Sequence, residues 1–369
     1  MFFPLTKSSL SFCIVDLKFS GNTLKICELG QGVFSIFRGY DALYGQGTMW
    51  VRVWQYMAQF NKPIWFVLPR LNDKNINDIA IDELEKIGGR VYSSLLALKK
   101  DDLFKKLAEQ KCDNISKTKI SDFSTIVFVR KCAKCLQGFM RKYPHVLIID
   151  ETSAWFVGNK YFTHLLFCDD EYLMKFRPRC AVCLKWSLMA KIRQIIRKLA
   201  CDYCVIKPID ASMGRGIVIV ESKKLEETLK NFFKKNDTAS DKQASEVAYW
   251  QHDKNDTFLI EEFVPSKYIC VDGKWYDPTM RVAFMVVVDN GNMKIDFLDA
   301  YWKLPSKALT EEGALTEVHK SHVMKGGKSS CAVDRDDFKR VSAILNDVLL
   351  KLFKKMYAVD VPSFMRSYV

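Results

Sequence analysis

The stretch 204–220, CVIKPIDASMGRGIVIV, is where residue types and spacing first suggest chemistry. A strand carrying Lys207 directly before Pro208 runs into the loop DASMGRG at 210–216, and the apolar run IVIV follows. Gly214 and Gly216, two apart and preceded by Ser212, leave backbone N–H groups bare enough to close over phosphate oxygens. Lys207 adds a point charge at the mouth of such a loop. A Gly-x-Gly step by itself fits an ordinary hairpin equally well. A nucleotide site would need further parts from elsewhere in the chain.

Cysteine offers a second chemistry. Three CxxC pairs occur among twelve cysteines: Cys132/Cys135, Cys180/Cys183 and Cys201/Cys204. The last two form C-x2-C-x17-C-x2-C, within the spacing of a four-thiolate zinc site. Both pairs lie in apolar, strand-like sequence without a glycine-bearing turn, so buried reduced thiols are the expectation. That implies a reducing, cytoplasmic location. His145, His164, His252, His319 and His322 are scattered and mark no Ser/His/Asp or Cys/His constellation. His319 and His322 lie near Gly326, where a substrate loop and a solvated loop are both open readings.

The formal net charge of +13 over 369 residues favours anionic partners. The basic residues are spread out, with no nucleic-acid-binding signature, so no nucleic acid is expected. No apolar run approaches the length of a membrane span, and MFFPLTKSSLSFCIVDLKF reads as a first strand rather than a signal peptide.

The elements that must position these residues read as two or three units of α/β class. A hairpin over 11–29 turns at Ser20-Gly21-Asn22. From Pro63 the strand IWFVLP, a helix over 75–86 stopped by Gly88-Gly89, and the strand RVYSSLL make a β-α-β unit. A helix at 99–110, the strand STIVFV, a basic helix near 131–142 and the strand HVLIID continue it, giving a first domain over 1–150. A second unit, 151–257, holds helices over 187–200 and 223–235 and a mobile insertion at 236–247. A third, 258–369, pairs YDPTMRVAFMVVV with KIDFLDAYWKLP around the hairpin turn Asn290-Gly291. Residues 306–330 read as loop, and 334–357 as one long amphipathic helix.

This order of motifs resembles the ATP-grasp superfamily, and in particular glutathione synthetase and RimK-like ligases. The resemblance implies an ATP-grasp fold behind an open α/β domain, with ATP and Mg2+ bound. NKYFTHLLF and VIKP then supply phosphate-binding Lys160 and Lys207, and DASMGRG the covering loop with Ser212, Gly214 and Gly216. FLIEEFVP supplies the hinge, where Glu261 or Glu262 meets the amino edge or ribose and the Phe263–Val264 backbone meets the base. DPTMRVAFMVV gives Arg281, YWKLP places Lys303 where relatives carry arginine, and KGG at 325–327 resembles the substrate loop.

Phosphoryl transfer asks the protein mainly for positive charge around the γ-oxygens. Lys160, Lys207, Arg281 and Lys303 suit that need. Lys207 and Arg281 stand in otherwise apolar runs, where a cation needs a partner. The metal set is the departure. MYAVDVP offers Asp360 as a first ligand, but no Glu-x-Asn follows it. Asp296 and Asp299 are substitutes, and strand alternation places them on opposite faces. The expected activity is ATP-dependent joining of a carboxylate to an amine through an acyl phosphate, on an anionic substrate such as an acidic peptide or protein. The alternatives are a kinase of a polyanionic small molecule and a non-catalytic ATP-binding assembly factor or chaperone.

Overall fold

The computed structural model describes residues 8–32, 37–67, 78–109, 119–129, 138–139, 142–150, 153, 156–211, 214–234, 246–321 and 329–359. The chain opens with the expected hairpin, Ser9–Phe19 (β1) and Leu24–Gln31 (β2), turning through Gly21 at φ 75°. Ile64–Val67 (β3), Arg90–Tyr92 (β4), Thr125–Val129 (β5) and Val146–Ile148 (β6) then form a parallel sheet in the order β4-β3-β5-β6. IWFV and TIVFV are buried throughout, as parallel strands covered on both faces must be.

Cys180–Leu184 (β7), Tyr203–Pro208 (β8), Val218–Glu221 (β9) and Thr257–Glu262 (β10) make an antiparallel lid sheet in the order β7-β10-β8-β9. After the small hairpin Ile269–Val271 (β11) and Lys274–Tyr276 (β12) come Thr279–Asp289 (β13), Asn292–Lys303 (β14) and Ser330–Ala332 (β15). Asn290 and Gly291, at φ 52° and 76°, make the β13–β14 turn as a left-handed pair.

One boundary differs from expectation. β1 and β2 do not join the parallel sheet; they complete a central sheet in the order β15-β14-β13-β1-β2. Residues 8–31 therefore extend the sheet of 279–332, while one face of β1 also packs against the cluster that holds Ile64, Phe66 and Phe128. The reason lies in the alternation along β1. Cys13, Val15, Leu17 and Phe19 face the apolar stripe of helix Arg335–Ala358, while Leu10, Phe12 and Ile14 face an aromatic cluster with Trp50 and Trp54. Both faces are covered, so all eleven positions are buried.

Helix Arg335–Ala358 is N-capped by Asp334, whose Oδ1 accepts from Asp336 N at 2.8 Å. Three local readings change. RVYSSLL ends its strand at Tyr92, because Ser94 caps a short helix, Leu95–Leu98. Helix Leu315–His319 interrupts the expected loop, and helix Glu246–His252 takes the last two residues of the expected insertion. The rest of that insertion, and most of the expected helix near 131–142, fall outside the described residues. Among the described residues no helix is long and apolar enough to cross a membrane.

Asp150 ties β6 to β1: it sits at φ 64°, and its carboxylate accepts the Phe12 N–H at 2.7 Å. Burial pushes its pKa up to about 7. An acid raised on folding favours the neutral form, so the stability it contributes is full below about pH 4 and drains away as pH rises toward 7. Asn tolerates positive φ and keeps an acceptor for Phe12. Asp150→Asn should therefore match the wild type near pH 4 and exceed it by a few kcal/mol at pH 8. Melting curves at the two pH values check this; parallel curves would refute it.

Candidate functional site

A cavity of about 420 Å³ lies between the lid sheet and the central sheet. Strand alternation builds each wall. On β8, Val205 and Lys207 point the same way, joined by Ile219 of β9 and by Gly214 and Ile217 of the loop. Opposite them, Asp16 and Lys18 continue the face of β1 that further up covers the aromatic cluster. Beside these stand Glu28 of β2, Arg281 of β13 and Lys303 of β14. Glu262, Phe263 and Val264 also line the cavity.

Two buried ion clusters dominate. Asp16, 4% exposed, receives Arg281 through Nε and Nη2, each at 2.7 Å, and Lys303 Nζ at 2.5 Å. Burial alone would raise its pKa; Arg281 and then Lys303 outweigh it and hold the carboxyl well below the ordinary range. Burial and the adjacent guanidinium lower the Lys303 ammonium below its usual value, against the pull of Asp16. In the second cluster Glu261, 1% exposed, lies between Arg177 and Lys207, each at 2.5 Å. Burial opposes its charge, while Arg177 and Lys207 overcome that and lower its pKa.

The loop is pinned from behind. Gly214 and Gly216 have φ 69° and 70°, and a Cβ on Gly216 would lie 2.5 Å from the Tyr249 ring. Gly216 N donates to Glu246 at 2.7 Å, and Trp250 Nε1 donates to Gly216 O at 2.9 Å. Lys320 bonds Glu246 at 2.5 Å and the Gly214 and Ile217 carbonyls at 3.3 Å, while Thr316 accepts from Ile219 N at 3.0 Å. The segment 315–321 thus latches the lid over the cavity. His319 lines the same wall, its Nδ1 2.9 Å from Asp277, which also takes Lys18 at 3.0 Å.

With this geometry the chain can be set beside known proteins. It is similar to solved synthetases and ligases. A protein provisionally described as a gamma-glutamylcysteine synthetase from Methylobacillus flagellatus KT is 11% identical, over 98% of this chain and 91% of that one, with TM-score 0.45. The D-cycloserine synthetase DcsG is 12% identical over 79% and 81%, with TM-score 0.40. The VanG D-Ala:D-Ser ligase of Enterococcus faecalis is 14% identical over 80% and 83%, with TM-score 0.38. No family model matches the chain, and no curated protein matches it by sequence.

The cavity gathers Lys207, Gly214, Glu261, Glu262, Phe263, Val264, Arg281 and Lys303 from five segments of the sequence. Lys160 sits behind the loop, with Nζ 2.6 Å from Ala211 O and 3.1 Å from Glu28. Ser212 and Asp360 lie outside the described residues. Both hinge acids are ion-paired. Glu261 is the counter-ion of Lys207, and Glu262 turns to Arg179, accepting from Nε at 2.5 Å. Phe263 N donates to Tyr203 O at 3.0 Å.

Asp296 and Asp299 do not line the cavity. A bulge between the Ala283 and Phe284 pairings shifts the alternation of β14 and puts both on one face, correcting the expectation of opposite faces. There Asp296 accepts from Tyr56, and Asp299 from Tyr40 at 2.6 Å with Arg52 at 3.2 Å. Nor do the cavity acids suit magnesium. Asp16, Glu28, Glu261 and Glu262 each face lysine or arginine, and no three His, Cys, Asp or Glu converge among the described residues. The described side chains do not fit a resident Mg2+. The two cysteine pairs lie on β7 and at the start of β8 with β10 between them, two strand spacings or roughly 9.6 Å apart. One zinc ion cannot bridge that gap.

Asp16, Lys18 and Lys320 escaped the sequence reading. The first two were findable: two charges on one face of the apolar run SFCIVDLKF need partners as much as Lys207 does.

Proposed function

We propose that this cavity binds ATP and that the chain is an ATP-grasp ligase joining a carboxylate to an amine. The observation that carries the reading is the convergence of Lys18, Lys207, Arg281, Lys303 and Lys320 on one cavity beside an apolar slot of Val205, Ile217 and Ile219. The apolar wall suits a flat base, and the cavity of about 420 Å³ falls within the usual range of ligand sites. The cations suit three phosphates. Asp16 and Glu261 hold Arg281, Lys303 and Lys207 in place before a nucleotide arrives, and such preorganised charge is what phosphoryl transfer uses. In the reaction, the γ-phosphoryl group passes to a substrate carboxylate, leaving ADP. The amine attacks the acyl carbon, the C–N bond forms, phosphate leaves, and the amine's proton is lost. The positive charge supports an acidic carboxylate substrate. The nine described free cysteines support a reducing compartment such as the cytoplasm.

The test is product analysis with purified protein, ATP, an acidic peptide and an amine donor. Equal ADP and free phosphate, formed only when both acceptor substrates are present, is the expected result. ADP without phosphate would make the protein a kinase, and nucleotide binding without turnover would make ATP a structural ligand.

A further inference from the structure

We infer that Arg38 is the specificity residue for the substrate, holding a carboxylate of an acidic molecule that does not itself react. This rests on the ATP-ligase reading and extends it to a residue on a different element. Arg38 lines the cavity and is half-buried. The other lining cations already have carboxylates: Lys18 with Asp277, Lys207 with Glu261, Arg281 and Lys303 with Asp16, Lys320 with Glu246. Among the described residues no acid pairs with Arg38. A guanidinium partly withdrawn from water without a counter-ion is costly, and an oxyanion ligand would relieve that cost.

Its place in the fold says which oxyanion. Arg38 begins helix Arg38–Tyr44, and three contacts peg that helix to the central sheet. Gly39 lies so close to Tyr301 that a Cβ would sit 2.4 Å from the ring, and Ser330 Oγ donates to Gly39 O at 2.8 Å. Tyr40 donates to Asp299 at 2.6 Å. Tyr301 and Ser330 are the ladder partners of Arg281 and Lys303. The helix is therefore fixed beside those two cations, at the phosphate end of the proposed nucleotide and away from the base wall on the lid sheet. That is the end where the molecule that accepts the phosphoryl group must enter. A planar fork at this end matches a carboxylate bidentately. Asp299, a candidate metal ligand in the sequence, becomes instead the peg that helps set Arg38 in place.

The test uses the full chain saturated with the non-hydrolysable analogue AMPPNP and titrated with tri-L-glutamate, with tri-L-glutamine as the neutral control. Wild type should bind tri-glutamate and not tri-glutamine. Arg38→Gln should weaken tri-glutamate by about tenfold or more while leaving AMPPNP affinity within about twofold. Arg38→Lys, a point charge without the fork, should fall between. The inference is overturned if Arg38→Gln binds tri-glutamate as wild type does, or if wild type binds neither peptide. It is also overturned if Arg38→Gln loses AMPPNP instead, which would make Arg38 a phosphate contact. Failure of wild type to bind AMPPNP would remove the ATP reading itself, and is read separately in the first titration.

Discussion

Replacing Asp16 by alanine should destabilise the protein by about 3–5 kcal/mol, the range for removing one partner of a buried ion pair. The magnitude follows from arithmetic of charge in a dry place. One carboxylate on β1 serves two cations, both within 2.7 Å: the buried Lys303 and the partly buried Arg281. Removing it leaves two like charges facing each other with no acid between them. Lys303, already lowered by burial and by Arg281, would lose the partner that keeps it charged. The pH dependence has a definite sign. Asp16 is held below its ordinary pKa on folding, so its stabilisation is present above about pH 4 and drains away only as pH falls below that. The deficit of Asp16→Ala should therefore be largest at neutral pH and shrink in strong acid. Urea unfolding at pH 7 and pH 3 measures it. A loss under about 1 kcal/mol at pH 7 would show that solvent reaches the cluster.

Lys207→Met should act on ligand affinity far more than on folding. Here too one carboxylate serves two cations, but the change removes a cation, and Glu261 keeps Arg177 at 2.5 Å. No buried charge is stranded, so the fold should survive with a smaller loss than in Asp16→Ala. Nucleotide binding should weaken by about tenfold or more, since a charge-assisted contact to phosphate in a desolvated cavity is worth more than 1 kcal/mol. The check is the shift in melting temperature with added nucleotide. Wild type should shift at concentrations that leave the variant unmoved. Equal shifts would mean that Lys207 is only the partner of Glu261.

Much of this arrangement was legible in the sequence where local patterns decide structure. The hairpin turn at Asn290-Gly291, the Gly88 helix stop and the long amphipathic helix after residue 334 need only neighbours in sequence. So does Lys207 at the end of an apolar strand. What escaped depends on distant pairing. Nothing in SFCIVDLKF says that it will lie against β13 with Asp16 opposite Arg281. That register is fixed by covering both faces of β1, one with a helix more than 300 residues later. The β14 bulge is invisible for the same reason: one residue out of phase turns Asp296 and Asp299 to the same face, and only the partner strand defines the phase. The ion pair of Glu261 is hidden for the same reason, since Arg177 lies more than 80 residues earlier in the chain.

Calorimetric titration of the intact protein with a non-hydrolysable ATP analogue, run beside folded Lys207→Met, tests the central claim most directly. A single saturable site in wild type, weakened by about tenfold or more in the variant, is the predicted result. No binding to wild type, or equal affinity in the two folded proteins, would contradict the assignment of this cavity to ATP.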